Sequence, residues 1–218
     1  MVAPQKQDTR FRLPAGLAKS LADTFGTPLY VMDEAHLRSS IRRYRNAFES
    51  CRDRTELVYA SKANSALAIL AIAAEEGCLI DVASEGELRA AMLAGVPPGR
   101  CHLHGNNKQR EELEFALESG IGQIVVDHFG EIEMLAELVQ GASKRPDILV
   151  RLAPGVDPVT HSKISTGQAD TKFGFNIGDG SAERAVVRCL ELGLPLIGFH
   201  CHVGSQLLDP KAQRSAGE

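Results

Sequence analysis

Leu57-Val58-Tyr59-Ala60-Ser61-Lys62-Ala63-Asn64 is the stretch whose reading decides the fold. Leu57 to Ala60 is an apolar run of strand type, and Ser61 to Asn64 is a turn of small and polar residues. After it, Leu67, Leu70, Ala71 and Ala74 fall at the i, i+3, i+4, i+7 spacing of a helix face, and Gly77 stands where such a helix is capped. Working outward, further apolar runs start at Leu79, Cys101 and Gln123, each 22 residues after the last. A strand, a turn and a short helix fill that period, and right-handed crossovers then lay the strands side by side in parallel.

The segments between these runs repeat the design. Ser84 and Glu87 have the spacing of a capping box, opening a helix with Leu88, Ala91 and Met92 on its apolar face and Gly95 at its end. Leu113, Ala116 and Leu117 precede Gly120 in the same way, and Ile132, Leu135, Ala136 and Val139 follow Asp127. Two more strands are expected at Ile148–Leu152 and Leu196–His200, separated by a long Gly- and Thr-containing loop and a helix over Ala182–Leu192. The expected class is therefore α/β, with six βα-type strands where a closed (β/α)8 TIM-type barrel has eight. The reading is a barrel truncated after about six strands.

Composition bounds the function classes. The 218 residues are 44% hydrophobic and 24% charged, an ordinary globular balance with enough apolar material for a core. A formal net charge of −4 with no basic block argues against a nucleic-acid surface. No apolar run approaches the roughly 20 residues of a membrane span, and Met1 to Arg12 lack the apolar centre of a secretory peptide. Five cysteines (Cys51, Cys78, Cys101, Cys189, Cys201) without C-x-x-C pairing fit a reducing cytoplasm.

Lys62 ends a buried strand at the place where barrel enzymes do chemistry. Partial desolvation there lowers an amine's pKa and frees its lone pair for Schiff-base formation; the alternative is simply a solvated lysine at a strand end. Far downstream, Gly198-Phe199-His200-Cys201-His202-Val203-Gly204-Ser205-Gln206 closes another apolar strand. His200 and His202 share one face of that strand, so a metal pair is one reading and a satisfied strand-end histidine another. Gly204 and Ser205 read alone as a loop. His102 and His104 form a second alternating pair, read here as incidental.

Taken together, the Lys62 and His202 strings resemble the pyridoxal-phosphate decarboxylases of the alanine racemase-like class, and within it the diaminopimelate decarboxylase family. Three more strings match in order: Asp81-Val82-Ala83-Ser84-Glu85-Gly86-Glu87-Leu88, Gly105-Asn106-Asn107-Lys108, and Thr166-Gly167 followed by Lys172-Phe173-Gly174. Gly26-Thr27-Pro28-Leu29-Tyr30-Val31-Met32-Asp33 is similar to the family's approach to the barrel, so residues 1–28 are expected to form a lead-in and 29–218 a partial pyridoxal phosphate-binding barrel domain.

The resemblance implies that Lys62 carries pyridoxal phosphate as a Schiff base and that His202 stacks on the pyridine ring. It implies that Gly204 and Ser205 face the phosphate, that Asp81 tunes the lysine, and that Arg151 stands near the cofactor's phenolic side. As ordinary side chains, Asp81 reads as a solvated strand-end acid and Arg151 as a structural ion-pair partner. No metal is expected. The implied reaction is decarboxylation of meso-diaminopimelate to L-lysine and CO2 by a cytoplasmic homodimer with no nucleic-acid or membrane partner. A non-catalytic pyridoxal phosphate-binding barrel and a related basic amino-acid decarboxylase are the alternatives. The family's glycine-rich phosphate loop, its acid for the pyridine nitrogen and its C-terminal β domain are expected to lie beyond Glu218, leaving residues 1–218 alone inactive.

Overall fold

In the computed structural model, residues 12–49, 55–141, 144–155, 173–204 and 211–217 are described. The chain divides into two compact units, Met1–Thr55 and Glu56–Glu218. The first holds helices α1 (Ala15–Phe25) and α2 (Glu34–Glu49). The second holds strands β1 (Val58–Ala60), β2 (Leu79–Val82), β3 (Cys101–Leu103), β4 (Gln123–Val126), β5 (Asp147–Ala153), β6 (Phe175–Asn176) and β7 (Leu196–Cys201). Its helices are α3 (Leu67–Glu75), α4 (Glu85–Leu93), α5 (Arg110–Ser119), α6 (Phe129–Leu138), α7 (Ser181–Glu191) and α8 (Lys211–Gly217). Among the described residues no helix is long and apolar enough to cross a membrane.

All six expected strands form, and every strand pair is parallel, in the order β1-β2-β3-β4-β5 with β7 on the far edge of β5. The two-residue β6 is an addition that the sequence did not signal. Leu152 pairs with both Phe175 of β6 and Cys201 of β7, so these lie on opposite edges of β5. β4 pairs with β5 only as far as Val150, and β6 takes up that edge beyond it.

Helix ends repeat one device. Gly77, Gly95, Gly120 and Gly193 all have φ between 67° and 85°, which side chains with a Cβ resist. The following residues, Cys78, Val96, Ile121 and Leu194, donate their N–H groups to the carbonyls of Ala73, Ala91, Ala116 and Cys189. That is the 6→1 bond of a Schellman motif, and each donor's side chain is buried as the chain turns back toward the sheet.

Burial alternates along the strands and separates two faces. Ile80, Val82, Cys101, Leu103, Ile148 and Val150 are fully buried. They meet the buried helix stripes of Leu70, Ala73, Leu88, Ala91, Leu113, Ala116, Ile132 and Leu135. Burying each of these leucine or isoleucine side chains is worth ~1.5–3 kcal/mol, and this layer holds the unit together. The opposite, inner face carries the other half of each strand. Ala60, Asp81, His102, Gln123 and Asp147 are lateral partners in one row across β1 to β5.

A register shift between Ile148 and Leu149 marks a β-bulge on β7 at Ile197. Beyond it Gly198 opposes Leu149 and His200 opposes Arg151, placing His200 on the inner face. Without the extra residue Phe199 would oppose Arg151, and His200 would face the other way.

Candidate active site at the C-terminal ends of the strands

In parallel α/β folds, chemistry gathers at the C-terminal ends of the strands, where loops leave the sheet. Here those ends bring together Lys62, Asp81, His104, Asp127, Arg151, His200 and His202. Lys62 follows β1 directly, in the single 3-10 turn Ser61–Ala63; its side chain is exposed and no residue of β1 is buried, so the expected buried strand and desolvated amine are not seen. Beside it Ser61 is fully buried and donates its hydroxyl to Glu87 Oε2 at 2.7 Å. The same oxygen accepts the Ala83 N–H at 2.7 Å. Half of the expected capping box is therefore present: Ser84 Oγ caps the Glu87 N–H at 3.2 Å, while the Glu87 carboxylate reaches Ala83 and the turn carrying Lys62.

This tie recurs at the third residue of the next two helices. Glu112 accepts from the Gln109 N–H at 3.0 Å and from the Glu85 N–H of the preceding unit at 3.3 Å. Glu131 accepts from the Asp127 N–H at 3.1 Å and pairs with Lys108 of the preceding unit at 2.6 Å. The three glutamates stitch successive strand–helix loops to one another.

Lys108 and Glu131 are buried, with side chains only 2% and 0% exposed. The Lys108 ammonium donates to the carbonyls of Gly105 at 2.6 Å and Val125 at 2.7 Å as well as to Glu131, using all three of its protons. The Gly105-Asn106-Asn107-Lys108 string thus ends in a structural ion pair. Burial raises the Glu131 carboxyl above the usual range, against the pull of Lys108.

Asp81 is the third residue of β2 and Arg151 the fifth of β5, both on the inner face and only partly exposed. Burial raises the Asp81 carboxyl to about 6; Lys62 and Arg151 oppose the shift and Glu87 adds to it. His104 Nε2 stands 3.1 Å from Asp81 Oδ1, but that contact lacks hydrogen-bond geometry, and Oδ1 is buried without a donor. The His104 and His200 rings meet edge to face, with centroids 4.5 Å apart. His200 Nδ1 is likewise buried without a partner. Arg151 Nη1 donates to Asp127 Oδ1 at 2.7 Å, and its guanidinium lies 4.9 Å from the Phe173 ring centroid.

The histidines of this cluster are held neutral. Burial first, then His200, Lys108, His102 and Arg151, lowers His104 to about 3. Burial, Arg151, His202 and Lys62 lower His200 to about 4, with Asp127 pulling the other way. His202, more exposed and just past β7, is lowered by partial burial and by Lys62 and Arg151. Among the described residues, Lys62 and Arg151 are the basic side chains that act on both His200 and His202.

The expected site residues Lys62, Asp81, Arg151 and His202 thus converge on one face of one end of the sheet. Gly204, with φ 121°, lies two residues past His202. Ser205 and residues 166–172 lie outside the described residues. The incidental reading of His104 does not hold, because its ring stands between Asp81 and His200. The 22-residue rhythm counted from Asp81 lands on Leu103, on the other face, so it gave no signal for His104; strand pairing sets Asp81 beside His102, with His104 two residues on. Among the described residues no group of three or more His, Cys, Asp or Glu side chains is placed to hold a metal ion.

Residues 34–218 match the pyridoxal-dependent decarboxylase family, in its pyridoxal binding domain. The chain belongs to this family. It is 48% identical over 190 residues to the diaminopimelate decarboxylase of Bacillus subtilis, covering 87% of this chain and 43% of the relative. The crystal structure of diaminopimelate decarboxylase from Methanocaldococcus jannaschii superposes with a TM-score of 0.81 at 38% identity, covering 90% of this chain and 46% of that one. The co-complex of that enzyme with L-lysine superposes at 0.79, also at 38% identity, covering 89% and 46%. The chain spans less than half the length of these relatives.

The inner face suits the family's cofactor. An exposed amine is available at Lys62, whereas Lys108 has no proton to spare. Among the described residues, two buried polar atoms on the same face, Asp81 Oδ1 and His200 Nδ1, have no hydrogen-bond partner. An aldehyde-bearing, anionic heteroaromatic ring calls for an amine, hydrogen-bonding groups and positive charge, and this end of the sheet offers all three.

Proposed function

We propose that this chain is the cofactor-holding part of a carboxy-lyase that converts meso-diaminopimelate to L-lysine and CO2. The observation that carries the reading is the convergence of Lys62, Asp81, Arg151, His200 and His202 on the inner face, with two buried polar atoms there awaiting partners. The names of the curated relatives support the substrate. The lead-in is placed at residues 1–28 and the barrel domain at 29–218. The compact units divide after Thr55, but the family match from residue 34 supports counting α2 with the barrel domain.

Bound pyridoxal phosphate supplies an electron sink for the charge left on the substrate carbon when CO2 departs. The chain's own residues hold and tune the site. Lys62 attaches the cofactor through its amine. Asp81, raised to about 6, exchanges a proton near neutral pH beside that amine. His202 offers a neutral ring to the cofactor's face, and Gly204 offers a backbone N–H without a side chain in the way of a phosphate, with Ser205 adding a hydroxyl. Arg151 adds a positive charge that helps draw in a carboxylate-bearing substrate. A homodimer in the cytoplasm is proposed for the complete protein. The four cysteines among the described residues, all free thiols, support a reducing compartment.

Borohydride reduction of the complete, cofactor-loaded protein followed by peptide mapping tests the reading. The label is expected on Lys62, with lysine and CO2 formed from meso-diaminopimelate before reduction. Label on Lys108 or Lys172, or loading without turnover, refutes it.

A further inference from the structure

Asp127 follows β4 directly, continues the inner-face rhythm of Gln123 and Val125, and is only 5% exposed. Both of its oxygens are committed. Oδ1 accepts from Arg151 Nη1 at 2.7 Å, and Oδ2 accepts the Gly174 N–H at 3.1 Å. Its own N–H donates to Glu131, which is pinned by Lys108. Gly174 closes the arrangement: its φ is 75°, and a Cβ there would meet the Arg151 carbonyl oxygen at 2.8 Å. Asp127 therefore acts neither as a free acid nor as a base.

Arg151 needs such a holder. Its long stem carries much rotamer entropy, and a guanidinium that wanders sets no fixed field. Arg151 opposes His200 on β7, so the place of its charge decides what the inner face presents to a ligand.

We propose that Asp127 is the positioning residue for Arg151, fixing where the guanidinium stands over the inner face, with the buried Lys108–Glu131 pair as its foundation. The link to catalysis rests on the proposed function; the positioning itself does not.

The test is made on the complete protein. In its cofactor-free form, the titration of His202 is followed by NMR with histidine-selective labelling. Besides partial burial, the charges of Lys62 and Arg151 lower His202. Asp127→Ala should release the guanidinium, so that His202 titrates at higher pH, in the direction given by Arg151→Met. If something else holds Arg151, removing the carboxylate leaves its charge unbalanced and His202 moves to lower pH. That result, or no shift, overturns the proposal. In the loaded enzyme Asp127→Ala should lower kcat about 10- to 100-fold, the scale of a misplaced group. Combined with Arg151→Met, it should cost nothing beyond Arg151→Met alone, and additive losses also overturn the proposal. Should Asp127→Ala not fold, Asp127→Asn keeps the volume and is read by the same two signs. Borohydride label away from Lys62 would sink the functional reading while leaving the His202 result standing.

Discussion

Lys108→Met isolates the buried ion pair beneath the site. The substitution keeps most of the volume of the stem and removes the ammonium. Glu131, 0% exposed, then loses a partner at 2.6 Å, and the Gly105 and Val125 carbonyls lose a donor. Breaking a buried pair by deleting one partner typically costs about 3–5 kcal/mol, because the remaining charge is uncompensated. At ~2–4 °C per kcal/mol for a domain of this size, the melting temperature should fall by about 6–20 °C. The loss should depend on pH with a definite sign. Burial already raises the Glu131 carboxyl above its unfolded value, and removing Lys108 raises it further. A folded state that binds the proton more tightly than the unfolded one loses stability as pH rises from the unfolded value through the folded one. The variant should thus be closest to the unaltered protein in mild acid and furthest from it at pH 8. Lys108→Met combined with Glu131→Met should recover part of the loss, since no charge is then left buried. Thermal melts of the complete protein at pH 5.5 and 8 check this. A shift below about 2 °C, or a double variant no better than the single, would refute the buried-charge argument.

Gly122→Ala should prevent stable folding, because a Cβ there would collide with the backbone carbonyl of Gly99, a group that has no flexible end to give way; soluble yield and melting temperature report it. Acid should also destabilise the unaltered protein between pH 6.5 and 4. His104 (about 3) and His200 (about 4) take up protons in the unfolded chain before the folded one, so stability falls as pH drops through that window. Asp81, raised to about 6, and Glu131, also raised by burial, work in the opposite direction, against four lowered histidines, His102, His104, His200 and His202; a pH series of melts should show the net fall, reduced in a His104→Phe variant.

Local regularity made the architecture legible. The 22-residue rhythm, the 3.6-residue faces of α3 to α6 and the glycines that end α3, α4 and α5 fix where strands and helices lie, because each depends on neighbours within one or two turns. The rhythm also delivered Lys62, Asp81 and Arg151 to strand ends, and hence to one end of the sheet. Three features had no such local signal. β6 is two residues long, too short for any periodicity, and exists because β4 leaves part of the β5 edge unpaired. Lys108 and Glu131 are 23 residues apart, and nothing near either one names its partner. The alternation of His200 and His202 showed that they share a face but not which face. The bulge at Ile197 settles that, by shifting the register one residue so that His200 comes opposite Arg151. Sequence periodicity determines what is near along the chain; which side chains face one another across strands depends on register, and register is fixed only when the strands pair.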